Sequence, residues 1–178
     1  MSGRCPHQTF FLFLGLLYSA ILMVFITIPI FNDPGTLIHL DGDVGKLDHP
    51  DLWKSFDYLT NNVYSLCDYC CHQKMDRSMI LNGNQFPLCI RDMFLMVGMA
   101  IGFYCFSCNM PHIKGKMIIS VILMLICPIE WYYEYFFNLN YPVLRAIVSV
   151  ISGFGFPMFL SWLIDFENAV IDSMTIRD

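Results

Sequence analysis

Residues Phe10 to Ile30 read FFLFLGLLYSAILMVFITIPI. The run carries no charge and has about the ~20 residues that one helix needs to cross the hydrocarbon core of a bilayer. It follows Arg4, as the apolar stretch of a signal peptide follows its basic residues. It is long for such a stretch, however, and no small-residue cleavage site comes after it. It ends instead at Pro29 and the turn sequence Asn32-Asp33-Pro34-Gly35. This reads as a retained spanning helix over 10–30.

Three further runs follow the same rule. Residues 92–108 are apolar behind Arg91-Asp92. Residues 117–137 are interrupted only late, by Glu130 and Glu134, and residues 142–164 carry Arg145 in the first turn. Pro142 at a helix start, with Asn138 to Asn140 before it, predicts a short hairpin between the third and fourth helices. Pro128 and Pro157 fall inside spans, where neighbouring helices can satisfy the carbonyls that a proline frees. Ser149, Ser152, Gly153 and Gly155 give the last helix a small face suited to close helix contact.

Composition agrees. Of 178 residues 56% are apolar and mean hydropathy is +0.54, against about 45–50% apolar in soluble domains. Charged residues are 14%, where about 25% is usual. A net charge of -5 with no Lys/Arg cluster argues against a nucleic-acid partner and gives no support to anionic-lipid recognition. The expected fold is all-α: residues 1–178 form a single membrane domain, a four-helix transmembrane bundle with a long polar loop at 31–90.

That loop is acidic. Asp33, Asp41, Asp43, Asp48, Asp51, Asp57, Asp68 and Asp76 face only Lys46, Lys54, Lys74 and Arg77. Within it, Leu52, Phe56, Leu59, Val63 and Leu66 recur at helical spacing behind Pro50, predicting an amphipathic helix over 51–71 that packs on the bundle or on lipid. Asn82-Gly83-Asn84 marks a tight turn. Asp41-Gly42-Asp43 and Asp48-His49 resemble a calcium loop, but the glycine and the distal acid are misplaced, and a solvated turn is the better reading.

Orientation comes from the short connections. Arg4 and the pair Lys114/Lys116 lie on one side of a four-span chain, and the positive-inside rule makes that side cytoplasmic. Both termini are then cytoplasmic in a cell membrane, and the acidic loop is external. In an up-down bundle Arg91, Asp92, Glu130, Glu134 and Arg145 all reach the face that carries this loop. Glu130 lies about 13 residues along its helix, so about 20 Å in. A lone carboxylate there costs a few kcal/mol. Arg145 is its expected partner, and Arg91 that of Glu134. Such a cluster is either a set of ion pairs fixing helix order or a proton, ion or substrate site.

The cysteines divide. Cys105, Cys108 and Cys127 sit in apolar runs, as small buried hydrophobes do. Cys67-Asp68-Tyr69-Cys70-Cys71-His72-Gln73 and Cys89-Ile90-Arg91-Asp92 lie in the loop or at its end. Thiolate, imidazole and carboxylate are ligands for zinc or iron, and Cys71, His72, Cys89 and Asp92 would close a four-ligand site. Two other readings stay open: disulfides that staple an external loop, and a redox pair at Cys67 and Cys70. Cys5-Pro6-His7-Gln8 echoes Cys70-Cys71-His72-Gln73, but from the opposite side of the membrane. No phosphate-binding glycine loop, Gly-x-Ser-x-Gly elbow or His-Glu-x-x-His motif is present.

Cys71-His72-Gln73, Arg77-Ser78 and Gly83-x-Gln85-x-Pro87-x-Cys89-x-Arg91, with Pro128, Glu130, Leu144 and Arg145 farther on, resemble the signature of a family of small polytopic membrane proteins. That family is found in archaea and bacteria, and its function is unknown. Its members carry Cys-x-Arg-Cys where this chain ends on Asp92. If the family site binds metal, the resemblance implies a carboxylate in place of a thiolate, favouring a harder metal or weaker binding. If it is a disulfide, the partner lies among Cys67 and Cys70, or Cys71 joins Cys89.

The leading functional expectation is therefore a membrane protein with a metal or redox-thiol site at its outer face. Arg77 and Arg91 would support that site, and Glu130, Glu134 and Arg145 would form a polar floor. A small oligomeric transporter using the Glu130/Glu134/Arg145 cluster, and an accessory subunit of a larger membrane complex, are the alternatives. No catalytic residue is identified from the sequence.

Overall fold

A computed structural model describes residues 6–108 and 113–175; Arg4 and Cys5 lie outside them. Helix α1 spans Pro6–Phe31, α4 Ile90–Cys108, α5 Lys116–Phe137 and α6 Pro142–Thr175. These four are long and apolar enough to cross a membrane, α6 over Pro142–Val170. Helix α1 starts earlier and α6 runs later than the hydropathy edges predict, because polar residues extend a helix past the apolar stretch at no cost. The fold is mostly helical, with one small two-stranded sheet.

Helix α5 carries the clearest membrane pattern. Its face at Ile118, Ile122, Leu125 and Ile129 is 50–65% exposed, while Lys116, Ser120, Cys127, Glu130 and Glu134 are buried. In water that arrangement would expose a long apolar stripe and bury charge, the reverse of a soluble helix.

The chain forms two compact units. The first holds α1 as far as Ser19, Phe94–Leu139 and Ile147 onward. Its core is Phe11, Phe103, Phe106 and Met158. Helices α4 and α6 meet backbone to backbone: a Cβ on Gly98 would lie 2.1 Å from the Val150 carbonyl oxygen, and one on Gly153 2.2 Å from that of Leu95. Cys127 is buried as expected. Cys105 and Cys108 are exposed on α4, which corrects their reading as core residues; a thiol is apolar enough to face lipid. Lys116, read from the sequence as a loop cation, is 2% exposed. Its ammonium donates to Asp165 at 2.6 Å and to Ser161 at 3.1 Å.

The second unit holds Ala20–Met93 and Asn140–Ala146. The predicted helix over 51–71 is in fact two, α2 (Pro50–Trp53) and α3 (Tyr58–Cys70). Asp57 makes the break: its Oδ1 accepts from the Leu59 and Thr60 N–H groups at 2.9 and 3.2 Å, an N-cap that outcompetes continuation of the helix. Trp53 and Tyr64 pack with Ile28, Leu37 and Leu40, and Leu52, Phe56 and Val63 cover them. Thus most of the apolar stripe faces a small protein core, while Leu59 and Leu66 stay exposed. Asp68, fully buried, holds the preceding loop: its Oδ2 accepts from Asp48 N, His49 N and Trp53 Nε1 at 2.8–3.1 Å. The Asp41–His49 stretch is a loop closed on itself, with Lys46 paired to Asp48 at 2.8 Å.

Beyond α3 the chain makes an antiparallel hairpin, β1 (Ser78–Leu81) and β2 (Asn84–Cys89), turning through Asn82 and Gly83, both at positive φ. The Asn84 amide docks this turn: its Nδ2 donates to Pro29 O at 2.9 Å and its Oδ1 accepts from Leu37 N at 3.1 Å. The sequence shows the turn but not the strands. β2 contains Pro87 and is buried throughout, so it has neither alternation nor length to announce it.

Candidate functional site

Three backbone transitions meet at one point of the second unit. Cys71 ends α3, its extended backbone (φ -138°, ψ 140°) breaking the helix while its N–H still bonds Cys67 O. Cys89 is the last residue of β2, paired across the ladder with Ser78. Asp92 lies in the first turn of α4, where an acid complements the helix dipole. The Cys89 thiol donates to Asp92 Oδ2 at 3.2 Å, and the Cys89 N–H donates to Cys71 Sγ at 3.4 Å. The two sulfurs and a carboxylate oxygen all lie within 4.8 Å of one another. Cys71 and Cys89 are 2% and 3% exposed, so water has little access to either sulfur.

His72 does not join this trio. Its Nδ1 accepts from Lys74 N at 3.3 Å. Burial, with Arg77 and Lys74 nearby, holds its imidazole below the ordinary range, against the pull of Asp92. The Cys89 thiol is pushed up, first by its contact with Cys71, then by burial and by Asp92. Burial, helped by Cys70 and Asp92, pushes Cys67 up to about 12. Cys67 is buried and Cys70 exposed, and all the described cysteines carry free thiols. The site is thus a pair of adjacent free thiols beside a carboxylate, side chains that become metal ligands when a cation displaces the thiol protons.

Of the supporting residues, Arg77 lies in the turn Met75–Arg77 before β1, its Nε 3.8 Å from Asp76. Arg91 is buried beside Asp92 in sequence. Arg145 is fully buried and donates to Asn140 Oδ1 at 3.0 Å, while Asn140 donates to the Asp76 carbonyl. Glu130 and Glu134 are buried on α5 in the first unit. Sequence reasoning missed the Lys116–Asp165 pair. Its signal was an acid late in an otherwise apolar last helix.

No curated protein and no solved structure matches this chain. A family described as predicted membrane protein (DUF2085) matches residues 71–159, half of the chain. The match opens on Cys71, runs through Cys89 and Asp92, covers α5 and reaches into α6. The chain belongs to this family of membrane proteins of unknown function.

Proposed function

We propose that this is a multi-pass membrane protein that holds one transition-metal ion, zinc or iron, through Cys71, Cys89 and Asp92. The observation that carries this reading is the approach of three potential ligand atoms within 4.8 Å, from three separate backbone elements. A disulfide staple would use the two sulfurs and leave the adjacent carboxylate without a role. Two thiolates and one carboxylate suit zinc or iron, and three protein ligands leave a fourth position for water or substrate, as in catalytic rather than structural zinc sites. Arg77 and Arg91 would offset the negative charge of two thiolates and a carboxylate around a divalent ion. Lys114 and Arg4 support a cytoplasmic position for the termini, which puts the site on the external face of a cell membrane.

The test is metal content per chain, by mass spectrometry on protein purified anaerobically in detergent, beside Cys89→Ser and Asp92→Asn. About one zinc or iron per chain is expected, lost in Cys89→Ser and weakened in Asp92→Asn. A metal-free wild type sinks this reading and leaves the loop cysteines as a disulfide staple, Cys71 with Cys89, or as a redox pair at Cys67 and Cys70.

A second reading draws on Glu130 and Glu134, two buried carboxylates four residues apart on an apolar helix. Such groups mark proton or ion paths. This reading takes the chain to work as a small oligomeric transporter. Glu130→Gln then abolishes flux in proteoliposomes while metal content is unchanged.

A further inference from the structure

Cys71 and Cys89 are 18 residues apart and no β-ladder joins their segments, and the single long contact from Cys89 N–H to Cys71 Sγ at 3.4 Å does not by itself fix the distance between their sulfurs. The residues around them show what does. Gln73, fully buried, donates through Nε2 to the Pro87 carbonyl at 2.7 Å. Gln85, also fully buried, returns the contact: its Nε2 donates to the Gln73 carbonyl. The far side of Gln85 is anchored too, since its Oε1 accepts from Leu40 N at 3.4 Å and its carbonyl accepts from the Tyr64 hydroxyl at 2.6 Å. Gln73 stands at φ 42°, a left-handed conformation that non-glycine residues seldom adopt. At this turn the two side-chain amides link residues 71–73 to β2, each donating to a backbone carbonyl of the other segment.

We infer that Gln73 and Gln85 are positioning residues of the thiol centre: their reciprocal amide brace sets the separation of the Cys71 and Cys89 sulfurs. Each crosses between the two segments, one two residues after Cys71 and the other four before Cys89. Neither touches the sulfurs, so they act through the backbone. This deepens the metal reading, but the separation of the sulfurs can be read without any metal.

The experiment uses the full chain in detergent with Gln73→Met, which keeps volume and removes the donor, and Gln85→Met in parallel. In metal-free protein, diamide takes the two thiol hydrogens as the Cys71–Cys89 disulfide forms, and peptide mass spectrometry follows the bond. In a folded variant that rate is expected to fall about tenfold or more. In cobalt-loaded protein the sulfur-to-cobalt absorption bands should weaken, and affinity should drop about 10–100-fold, as for other outer partners of metal ligands. A purely space-filling role would leave both readouts at wild-type values, and that result overturns the inference. Unfolding of both variants would also overturn it, assigning the amides to the fold alone. A wild type that binds no cobalt yet oxidises fast, with slow variants, upholds the brace while removing the metal reading.

Discussion

The Ser152 hydroxyl donates to the Met124 carbonyl at 3.0 Å, and Met124 is the residue whose carbonyl Pro128, four positions on, cannot bond. A serine on α6 thus satisfies the acceptor that a proline frees on α5, inside an apolar span where no water can do so. Ser152→Ala should destabilise the protein by about 1 kcal/mol, in the range of a lost hydrogen bond with its acceptor left bare. In a Pro128→Ala background the helix supplies its own N–H to Met124, and the same serine change should cost about nothing. Reversible SDS denaturation of the four proteins reads the cycle. Equal costs in both backgrounds would show that the contact carries no energy.

The approach of α4 to α6 depends on hydrogen atoms at two positions. A methyl group at residue 98 would stand 2.1 Å from a backbone oxygen, which cannot swing aside as a side chain can. Gly98→Ala should therefore cost about 3 kcal/mol or more, seen as lost monodispersity in detergent or a collapsed melting temperature. Gly35→Ala is the contrast. Nothing lies within 4 Å of its would-be Cβ, and the only cost is its φ of 81°, about 1 kcal/mol.

The four spans and the membrane class were legible because they rest on hydropathy summed over about 20 residues, which no local detail can overturn. Cys71, Cys89 and Asp92 were legible as chemistry. Their meeting was not, because it depends on a hairpin whose inner strand is fully buried and interrupted by Pro87. The break at Asp57 was hidden for a different reason. Leu52, Phe56, Leu59 and Val63 keep helical spacing across it, and only the competition between a capping side chain and one more helical turn decides. Lys116 was misread because hydropathy places it at a loop edge, whereas its long apolar stem lets the ammonium reach Asp165 and Ser161.

Alkaline pH should loosen the metal-free protein. Burial pushes the Cys67 thiol up to about 12, whereas an unfolded cysteine titrates near about 8.5. A group whose folded pKa is raised contributes fully below its unfolded pKa and loses that contribution as pH rises toward the folded value. Stability should hold steady to about pH 8.5, then fall toward pH 12 by up to about 1.4 kcal/mol per pH unit for this thiol. Cys89, raised in the same direction, adds to the slope. Cys67→Ser has no such group, so its melting temperature should close on that of wild type as pH climbs from 8 to 11. A constant gap over that range would mean that Cys67 meets solvent in the folded state.

Lys116 and Asp165 are unequally placed: the ammonium is 2% exposed and the carboxylate 31%. Removing either partner should therefore cost different amounts. Asp165→Asn leaves a buried ammonium with the Ser161 hydroxyl and the face of Phe106, 5.8 Å from its ring centre. Phe106 offers partial compensation at best, and a loss of about 2 kcal/mol or more is expected. Lys116→Met removes the charge that has to be buried and keeps most of the stem's packing, while Asp165 can turn to solvent. That variant should lie within about 1 kcal/mol of wild type, and Lys116→Met with Asp165→Asn should recover most of what Asp165→Asn alone loses. Melting temperatures of the three variants in one detergent decide it. Equal losses from both single changes would mean that the pair acts as a symmetric tie between α5 and α6, with desolvation shared by both groups.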